Sequence, residues 1–321
     1  MSSIGLIFSI ATLVTMALEI FLGEYTDIHG RKIVYSLSSV LTSASGLFPF
    51  LRNLWSIATN KVFCDLGTKL SASFSSIMFF ESDRKLFSRI IAISSGGQHL
   101  MMAAIMYVIS MFVYQMSFSG CFFLASIVQI ASLIIFFSFY RERGRQQTRK
   151  LSLKETYSFD LSRNLWALTF VSILTMTTFV STHTFVFPLY LKSRYGLDTP
   201  RIAFFAGTHR FVMAVALLLF GNLVHKLDMR RAFMFSQITQ TLSHLSMSLI
   251  DDPYIGISVW YIHDLLGGAL EIPTLTTLVQ TSARTNSLGK DVNTSAAIKG
   301  VAMMPVPACI GILASIDYNL P

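Results

Sequence analysis

The sequence predicts an all-α fold, a polytopic bundle of transmembrane helices. Of its 321 residues, 53% are hydrophobic and only 13% are charged, whereas roughly a quarter of the residues of a soluble domain are charged. The hydrophobic residues form runs of about 20, the length that a helix needs to cross roughly 30 Å of hydrocarbon. The runs lack the alternation of barrel strands, so the backbone polar groups must be satisfied within helices.

Ten such runs follow one another along the chain, separated by short polar stretches. The predicted spans are residues 4–22, 33–51, 54–80, 87–113, 117–140, 164–190, 201–223, 232–250, 254–280 and 294–316. The first run has neither a basic segment before it nor a small-residue cleavage pattern after it, so we interpret it as a span rather than a signal peptide.

The Lys and Arg residues predict the orientation of the bundle. Most of the 25 basic residues fall in alternate connections, which makes that side cytoplasmic and places both termini on the opposite side. The opposite connections hold only Arg52, Lys192, Arg194 and Arg201. Because the basic residues are spread over many short loops, the net charge of +8 does not indicate nucleic-acid binding.

The longest polar segment divides the ten spans five and five. We therefore predict an N-terminal bundle over residues 1–140, a basic cytoplasmic linker over 141–163 and a C-terminal bundle over 164–321. Local patterns also recur about 200 residues apart, since GNLVHKLDMRR after the seventh span is similar to GEYTDIHGRK after the first. A second repeat pairs Gly67 and Arg84 with Gly267 and Arg284. Duplicated halves are common in secondary transporters.

The polar motif GEYTDIHGRK, Gly23–Lys32, joins the first two spans on the basic side. Its glycines permit close helix approach and a tight reversal, and Asp27 is placed to pair with Arg31 or to bind a helix N-terminus. The motif resembles the major facilitator superfamily signature G-x-L-a-D-r-x-G-r-k. Five positions match the signature: Gly23, Asp27, Gly30, Arg31 and Lys32. Tyr25 and Thr26 replace the usual Leu and Ala.

This resemblance implies a secondary transporter that carries a small solute by alternating access. In the family, the signature Asp holds the outward-open state against the start of the eleventh helix, which is expected here near Asn293–Ser295. The resemblance covers ten of the family's twelve helices and implies that the first and twelfth are lacking. We accordingly expect a monomeric, multi-pass protein of the cell membrane, whose partners are the lipid bilayer, a small-molecule substrate and protons.

Charged residues within the third span are candidates for binding substrate or protons. Lys61, Asp65 and Lys69 are spaced so that they share one helix face. The segment NKVFCDLG resembles the family motif R-x-x-q-G-x-G, with Lys61 at the Arg and Gly67 at the last Gly, whereas Asp65 replaces the middle Gly. In proton-coupled relatives that Arg takes part in coupling. The alternative is a Lys paired within its own helix whose charged end reaches the interface.

Further candidates lie in other spans, because a charge inside the membrane usually faces a cavity or a partner. Glu19 precedes the signature by one turn and either binds a proton or cation or balances the charge of Arg31 or Lys32. In the second half, Arg210 either meets an anionic substrate or pairs with Asp264 or Glu271. Gly267, Gly268 and Pro273 predict close packing and a kink beside these carboxylates.

The sequence predicts no enzyme, no cofactor and no metal site. It contains no phosphate-binding loop, nucleophile elbow, zinc motif or dinucleotide fingerprint. His99, His183 and His263 are interpreted as hydrogen-bonding residues of their spans. The three cysteines lack metal-ligand spacing.

Three hypotheses about activity stay open at this point. Proton-coupled efflux by an antiporter is favoured, because E-x-x-x-G before the signature is similar to drug exporters, and protonation of Glu19 or Asp65 would supply the coupling. A passive facilitator would share every sequence feature. A truncated or degenerate homologue would bind without transport.

Overall fold

The computed structural model describes residues 2–51, 53–70, 72–112, 118–142, 158–183 and 186–306, together with 309, 312, 313 and 316. Helices dominate these residues, in agreement with the predicted all-α fold. The α-helices are α1 (Ser2–His29), α2 (Arg31–Ser45), α3 (Leu54–Leu70), α4 (Ala72–Glu81), α5 (Phe87–Phe112), α6 (Phe118–Phe139), α7 (Arg163–His183), α8 (Val186–Tyr195), α9 (Thr199–Val224), α10 (Met229–Ser248), α11 (Pro253–Ile262), α12 (Ala269–Ser282) and α13 (Leu288–Met303).

The helices follow the predicted spans closely. The span 54–80 corresponds to α3 and α4, and the span 164–190 corresponds to α7 and α8. The span 254–280 corresponds to α11 and α12, which are joined by a π-helical segment, His263–Gly268. Within the described residues, Phe87–Val108 and Thr199–Gly221 have the length and the mean hydropathy, 1.2 and 1.8, needed to cross a membrane.

Two helix limits that bear on the polar motif differ from the sequence prediction. Helix α1 continues through His29, so the signature Asp27 lies on its last turn and the chain reverses at Gly30 alone, where φ is 98°. Helix α13 begins at Leu288 instead of residue 294. Its first turns contain Lys290, Asp291 and Asn293, and a prediction based on hydrophobicity assigns such polar turns to a loop.

One compact unit is formed by Met1–Glu81, Met116–Ile173 and Val279–Met304. Within it, α1 packs against α13 and α3, and α2 packs against α3 and α6. A small apolar cluster of Met16, Ile20 and Ala297 lies between α1 and α13. The unit therefore contains helices from both predicted halves of the chain.

A second compact unit is formed by Ser82–Gln115, Leu174–Leu278 and Pro305–Pro321. Its most extensive helix pair is α5 with α9. A Cβ at Gly221 would lie 2.9 Å from the Cβ of Ala92, so a glycine lets these two backbones approach closely. Helix α10 packs against α11 and the π-helical segment.

Many large apolar side chains are exposed on both units. They include Ile134, Ile135, Phe137, Phe139, Phe170, Leu219, Leu242 and Leu249. A soluble protein rarely exposes so many large apolar side chains. Lipid is the solvent that suits these side chains, as the composition predicts.

Gly67 provides a test of the packing of α2 against α3. The hydroxyl of Ser38 donates to the carbonyl of Gly67 at 2.7 Å, and a Cβ at Gly67 would lie 2.9 Å from the carbonyl oxygen of Ser38. We expect Gly67→Ala to lower stability by about 1–3 kcal/mol, since backbone atoms must move. The measurement is thermal unfolding of the purified protein in detergent.

Gly97 is the matched control, because a Cβ there would have no described atom within 4 Å apart from its own stretch of helix. Gly97→Ala should be neutral or stabilising by up to about 1 kcal/mol, the difference in helix propensity. Equal unfolding temperatures for Gly67→Ala and the wild type would contradict the packing described here.

Candidate functional site

The signature carboxylate binds the beginning of another helix in the first unit. Oδ1 of Asp27 accepts a hydrogen bond from the backbone N–H of Gly289, and Oδ2 accepts one from that of Lys290, each at 2.9 Å. Because α13 begins at Leu288, both N–H groups belong to its first turn and have no partner within the helix. The carboxylate also lies at the positive end of the helix dipole. We call this arrangement the Asp27 contact.

Two glycines allow α1 and α13 to approach closely enough for the Asp27 contact. A Cβ on Gly289 would lie 2.8 Å from both Oδ1 of Asp27 and the carbonyl oxygen of Gly23. A Cβ on Gly23 would lie 2.7 Å from the Cβ of Asn293. The amide of Asn293 donates to the backbone carbonyl of Glu19 at 3.3 Å, one turn earlier on α1. Any side chain at either glycine would separate the two helices.

Burial at this contact raises the pKa of Asp27. The hydrogen bonds from Lys290 and Gly289 and the positive charge of Arg31 act in the opposite direction and lower it. The carboxylate thus loses hydration at the contact, and the two amides and Arg31 offset part of the cost. The N–H groups of the first turn of α13 therefore stabilise the ionised carboxylate of Asp27 at this buried position.

A second carboxylate binds the beginning of α2 in the same way. Oε1 of Glu142 accepts from the backbone N–H of Arg31 at 2.8 Å, and Oε2 accepts from that of Lys32 at 3.1 Å. The ammonium of Lys32 donates to the carbonyls of Phe137 and Tyr140 at the end of α6, at 3.0 and 2.7 Å. The Arg and Lys of the signature therefore connect α2 to α6.

An ion pair lies at the first turn of α13. The guanidinium of Arg284 donates to both carboxylate oxygens of buried Asp291, at 2.9 and 2.7 Å, and to Asp160 at 2.8 Å. The bidentate geometry fixes the orientation of the Arg284 side chain. The chain preceding α13 is thereby fixed close to the Asp27 contact.

The second unit contains a buried polar cluster of His209, His263 and Asp264. Nε2 of His209 lies 3.0 Å from Oδ2 of Asp264, and Nε2 of His263 lies 3.4 Å from Oδ1. Each of the three side chains is at most 4% exposed. His209 is on α9, whereas His263 and Asp264 begin the π-helical segment.

The remaining candidate residues are not members of the Asp27 contact or of the buried cluster of His209, His263 and Asp264. Lys61 and Asp65 form an ion pair at 2.6 Å within α3, which is the geometry of the internally paired alternative. Glu19 is buried on α1. Glu271 accepts a hydrogen bond from Gln240. Arg210 forms no ion pair with Asp264 or Glu271 in the part of the chain that the structure describes. The side chains of Lys69 and His183 lie outside the described residues.

Sequence reasoning missed Glu142, the pair of Arg284 with Asp291, and His209. The partners of Glu142 and His209 are distant along the chain. Arg284 and Asp291 are close in sequence, but nothing in the local sequence distinguishes them as a pair. Asp264 is the only residue whose sequence context indicates the buried cluster, because an acidic residue within a span needs a partner.

A helical chain with large apolar side chains on its surface and charged groups buried among its helices belongs to the class of helical membrane proteins. The family model of the Major Facilitator Superfamily matches residues 1–307. The chain is therefore a member of the Major Facilitator Superfamily, a multi-pass integral membrane protein and a transporter.

Solved transporter structures share the fold at low sequence identity. The human organic anion transporter MFSD10 (TETRAN) has a TM-score of 0.72 and 14% identity, and the match covers 98% of this chain and 78% of that one. A bacterial homologue of the iron transporter ferroportin in an outward-facing state has a TM-score of 0.66 and 16% identity. That match covers 99% of this chain and 84% of that one. The same homologue with soaked iron has a TM-score of 0.65 and 15% identity, and the match covers 98% of this chain and 85% of that one. No curated protein sequence matches the chain.

Removal of the Asp27 carboxylate should expose the first turn of α13. In Asp27→Ala the N–H groups of Gly289 and Lys290 lose their acceptors, at a local cost of about 1–3 kcal/mol. We expect hydrogen exchange of a peptide covering residues 285–295 to become roughly 5- to 150-fold faster, as measured by mass spectrometry.

Asp228→Ala is the matched control for this measurement. Asp228 stands in the repeat of the signature, but among the described residues its carboxylate accepts only from the N–H of Arg231 in the first turn of α10, at 2.8 Å. Its removal should accelerate exchange at the start of α10 and leave residues 285–295 unchanged. Identical exchange of that peptide in Asp27→Ala and the wild type would show that the Asp27 contact does not protect α13.

Proposed function

We propose that the protein carries a small solute across the cell membrane by alternating access, as a monomer. The observation that carries the proposal is the Asp27 contact. It joins α1, from the first half of the sequence, to α13, from the second, on the predicted cytoplasmic side. A contact of two hydrogen bonds at a helix end is strong enough to favour one conformation and weak enough to break during each cycle.

Small organic anions are the substrate class that we propose to test first. Arg210 is half-buried on α9 and supplies a positive charge within a predicted span. A guanidinium binds carboxylates and other planar anions well. The similar human structure is described as an organic anion transporter, which makes this class a reasonable first choice.

Counterflow in proteoliposomes tests alternating access. Vesicles containing the purified full chain would be loaded with a non-fluorescent analogue of carboxyfluorescein. Uptake of fluorescent carboxyfluorescein from outside would then be followed. A carrier that alternates between two states exchanges the two anions, so loading should accelerate uptake. We expect Asp27→Ala to slow exchange by at least about fivefold, because the two conformations are no longer balanced, while Asp228→Ala transports like the wild type.

Uptake that is unaffected by loading would contradict alternating access. A wild type that binds the dye without any flux would favour the non-transporting homologue instead. Equal rates in the wild type and Asp27→Ala would remove the Asp27 contact from the transport cycle.

Proton coupling through Glu19 or Asp65 is the finer proposal, with efflux by antiport as its direction. Glu19 is buried on α1 beside α13, and Asp65 is partly buried beside Lys61. Neutralising both in Glu19→Gln/Asp65→Asn removes the groups that would change protonation during the cycle. We expect an imposed pH gradient to accelerate wild-type transport and to have no effect on the double variant.

Asp83→Asn is the control for proton coupling, since Asp83 is an exposed carboxylate that binds the N–H of Lys85. A double variant that responds to the gradient like the wild type would disprove the role of these two carboxylates. A wild type that transports without any response would favour the passive facilitator.

A further inference from the structure

The buried cluster in the second unit brings together three side chains that bind metals. One ligand atom from each of His209, His263 and Asp264 lies within 4.8 Å of the other two. Small side-chain movements would bring all three to the distances of about 2.0–2.2 Å at which imidazole nitrogen and carboxylate oxygen bind a transition metal. In the sequence His263 is a lone histidine within its span, for which a hydrogen-bonding role is predicted. The structure brings His209 to it from α9.

The hydrogen bond of His263 determines which of its nitrogens faces Asp264. Nδ1 lies against the backbone carbonyl of Trp260, which only accepts, so Nδ1 must carry the proton and donate it. In the neutral ring, Nε2 then carries a lone pair, and it lies 3.4 Å from Oδ1 of Asp264. Two acceptors face each other at this distance, and a cation between them would remove their repulsion.

The surroundings of Asp264 also favour a bound cation. Among the residues that the structure describes, neither of its buried carboxylate oxygens accepts a hydrogen bond with acceptable angles. Nε2 of His209 nevertheless lies only 3.0 Å from Oδ2. A buried carboxylate is costly unless it is paired or coordinates a metal. A shared proton would join only two of these atoms. The convergence of three ligand atoms, two imidazole nitrogens and one carboxylate oxygen, therefore favours a metal ion.

The local backbone explains how consecutive residues reach one site. His263 and Asp264 begin a π-helical segment, whose wider turn places neighbouring side chains closer in direction than an α-helix does. A Cβ on Gly268 would lie 3.8 Å from Oδ1 of Asp264 and against the side chain of Met213, so this glycine keeps space beside the carboxylate. His209 completes the cluster from α9 and stacks on Trp260, with ring centroids 4.2 Å apart.

We propose that His209, His263 and Asp264 form a binding site for a divalent transition-metal cation. Two imidazoles and one carboxylate suit Zn²⁺, Fe²⁺, Co²⁺ and Mn²⁺ better than Mg²⁺ or Ca²⁺, which prefer oxygen ligands. The bond from His263 to the Trp260 carbonyl is the outer-shell hydrogen bond that metal-binding histidines typically make. Water or a group of the transported solute would complete the coordination.

Other charged or titratable groups face the cluster from three helices. His99 on α5 donates to the carbonyl of Ser95 at 2.8 Å, and His244 on α10 donates to that of Gln240 at 2.7 Å. His244 also lies against the ring of His263, with centroids 4.6 Å apart. Arg210 adds a positive charge next to His209 in the chain and should weaken metal binding without blocking it.

Metal titration of the purified full chain in detergent tests this proposal directly. Co²⁺ should develop visible absorption bands typical of nitrogen and oxygen ligands, with one equivalent bound. Zn²⁺ should displace it, and isothermal titration calorimetry should give one Zn²⁺ per chain. Each of His209→Gln, His263→Gln and Asp264→Asn should weaken Zn²⁺ binding by more than about tenfold, because loss of even an outer-shell partner costs about 10- to 100-fold.

His225→Gln is the matched control, since His225 follows the end of α9 and lies outside the cluster. It should bind Zn²⁺ like the wild type. A wild type that binds neither metal would overturn the proposal whatever the stability of the variants, and so would variants that retain full affinity. Metal binding is measured here without transport, so this test succeeds or fails independently of the proposed function.

Discussion

The first unit depends on a carboxylate that reaches the beginning of a distant helix. Asp27 and Gly289 are separated by most of the chain, yet two hydrogen bonds of 2.9 Å join their helices. The helix end offers N–H groups that nothing within α13 can satisfy, and the carboxylate offers acceptors that lose water on burial. Each therefore compensates for the other. Glycines at positions 23 and 289 make the approach possible.

The same physical solution appears at α2, where Glu142 accepts from two N–H groups of the first turn. Two parts of the signature thus take part in contacts of this kind. Its Asp binds one helix start, while the backbone of its Arg31 and Lys32 forms another. Helix ends at a membrane surface leave backbone groups that lipid cannot satisfy. The carboxylates of Asp27 on α1 and of Glu142, which follows α6, fill this role in the first unit and connect helices that are distant in sequence.

Much of the fold could be predicted because membrane spans impose a length and a composition. Each predicted span corresponds to one helix or to two consecutive helices, and membership of the superfamily is confirmed by the family model. The start of α13 could not be predicted, because its polar first turns carry no hydrophobic signal. Asp27, Arg31 and Lys32 were identified from the signature alone. Glu142 and His209 were not, since a pairing between distant helices leaves no trace in one sequence. The division into two sequence halves stays a prediction.

The close packing at the Asp27 contact has a consequence for how this chain and its homologues diverge. A side chain at position 23 would meet Asn293, and one at position 289 would meet the backbone of Gly23. Neither helix can accommodate a larger residue unless the other retreats. Selection must therefore act on the two positions jointly. In an alignment of homologues, small residues at 23 and 289 should be retained or lost together, as covariation between positions in spatial contact.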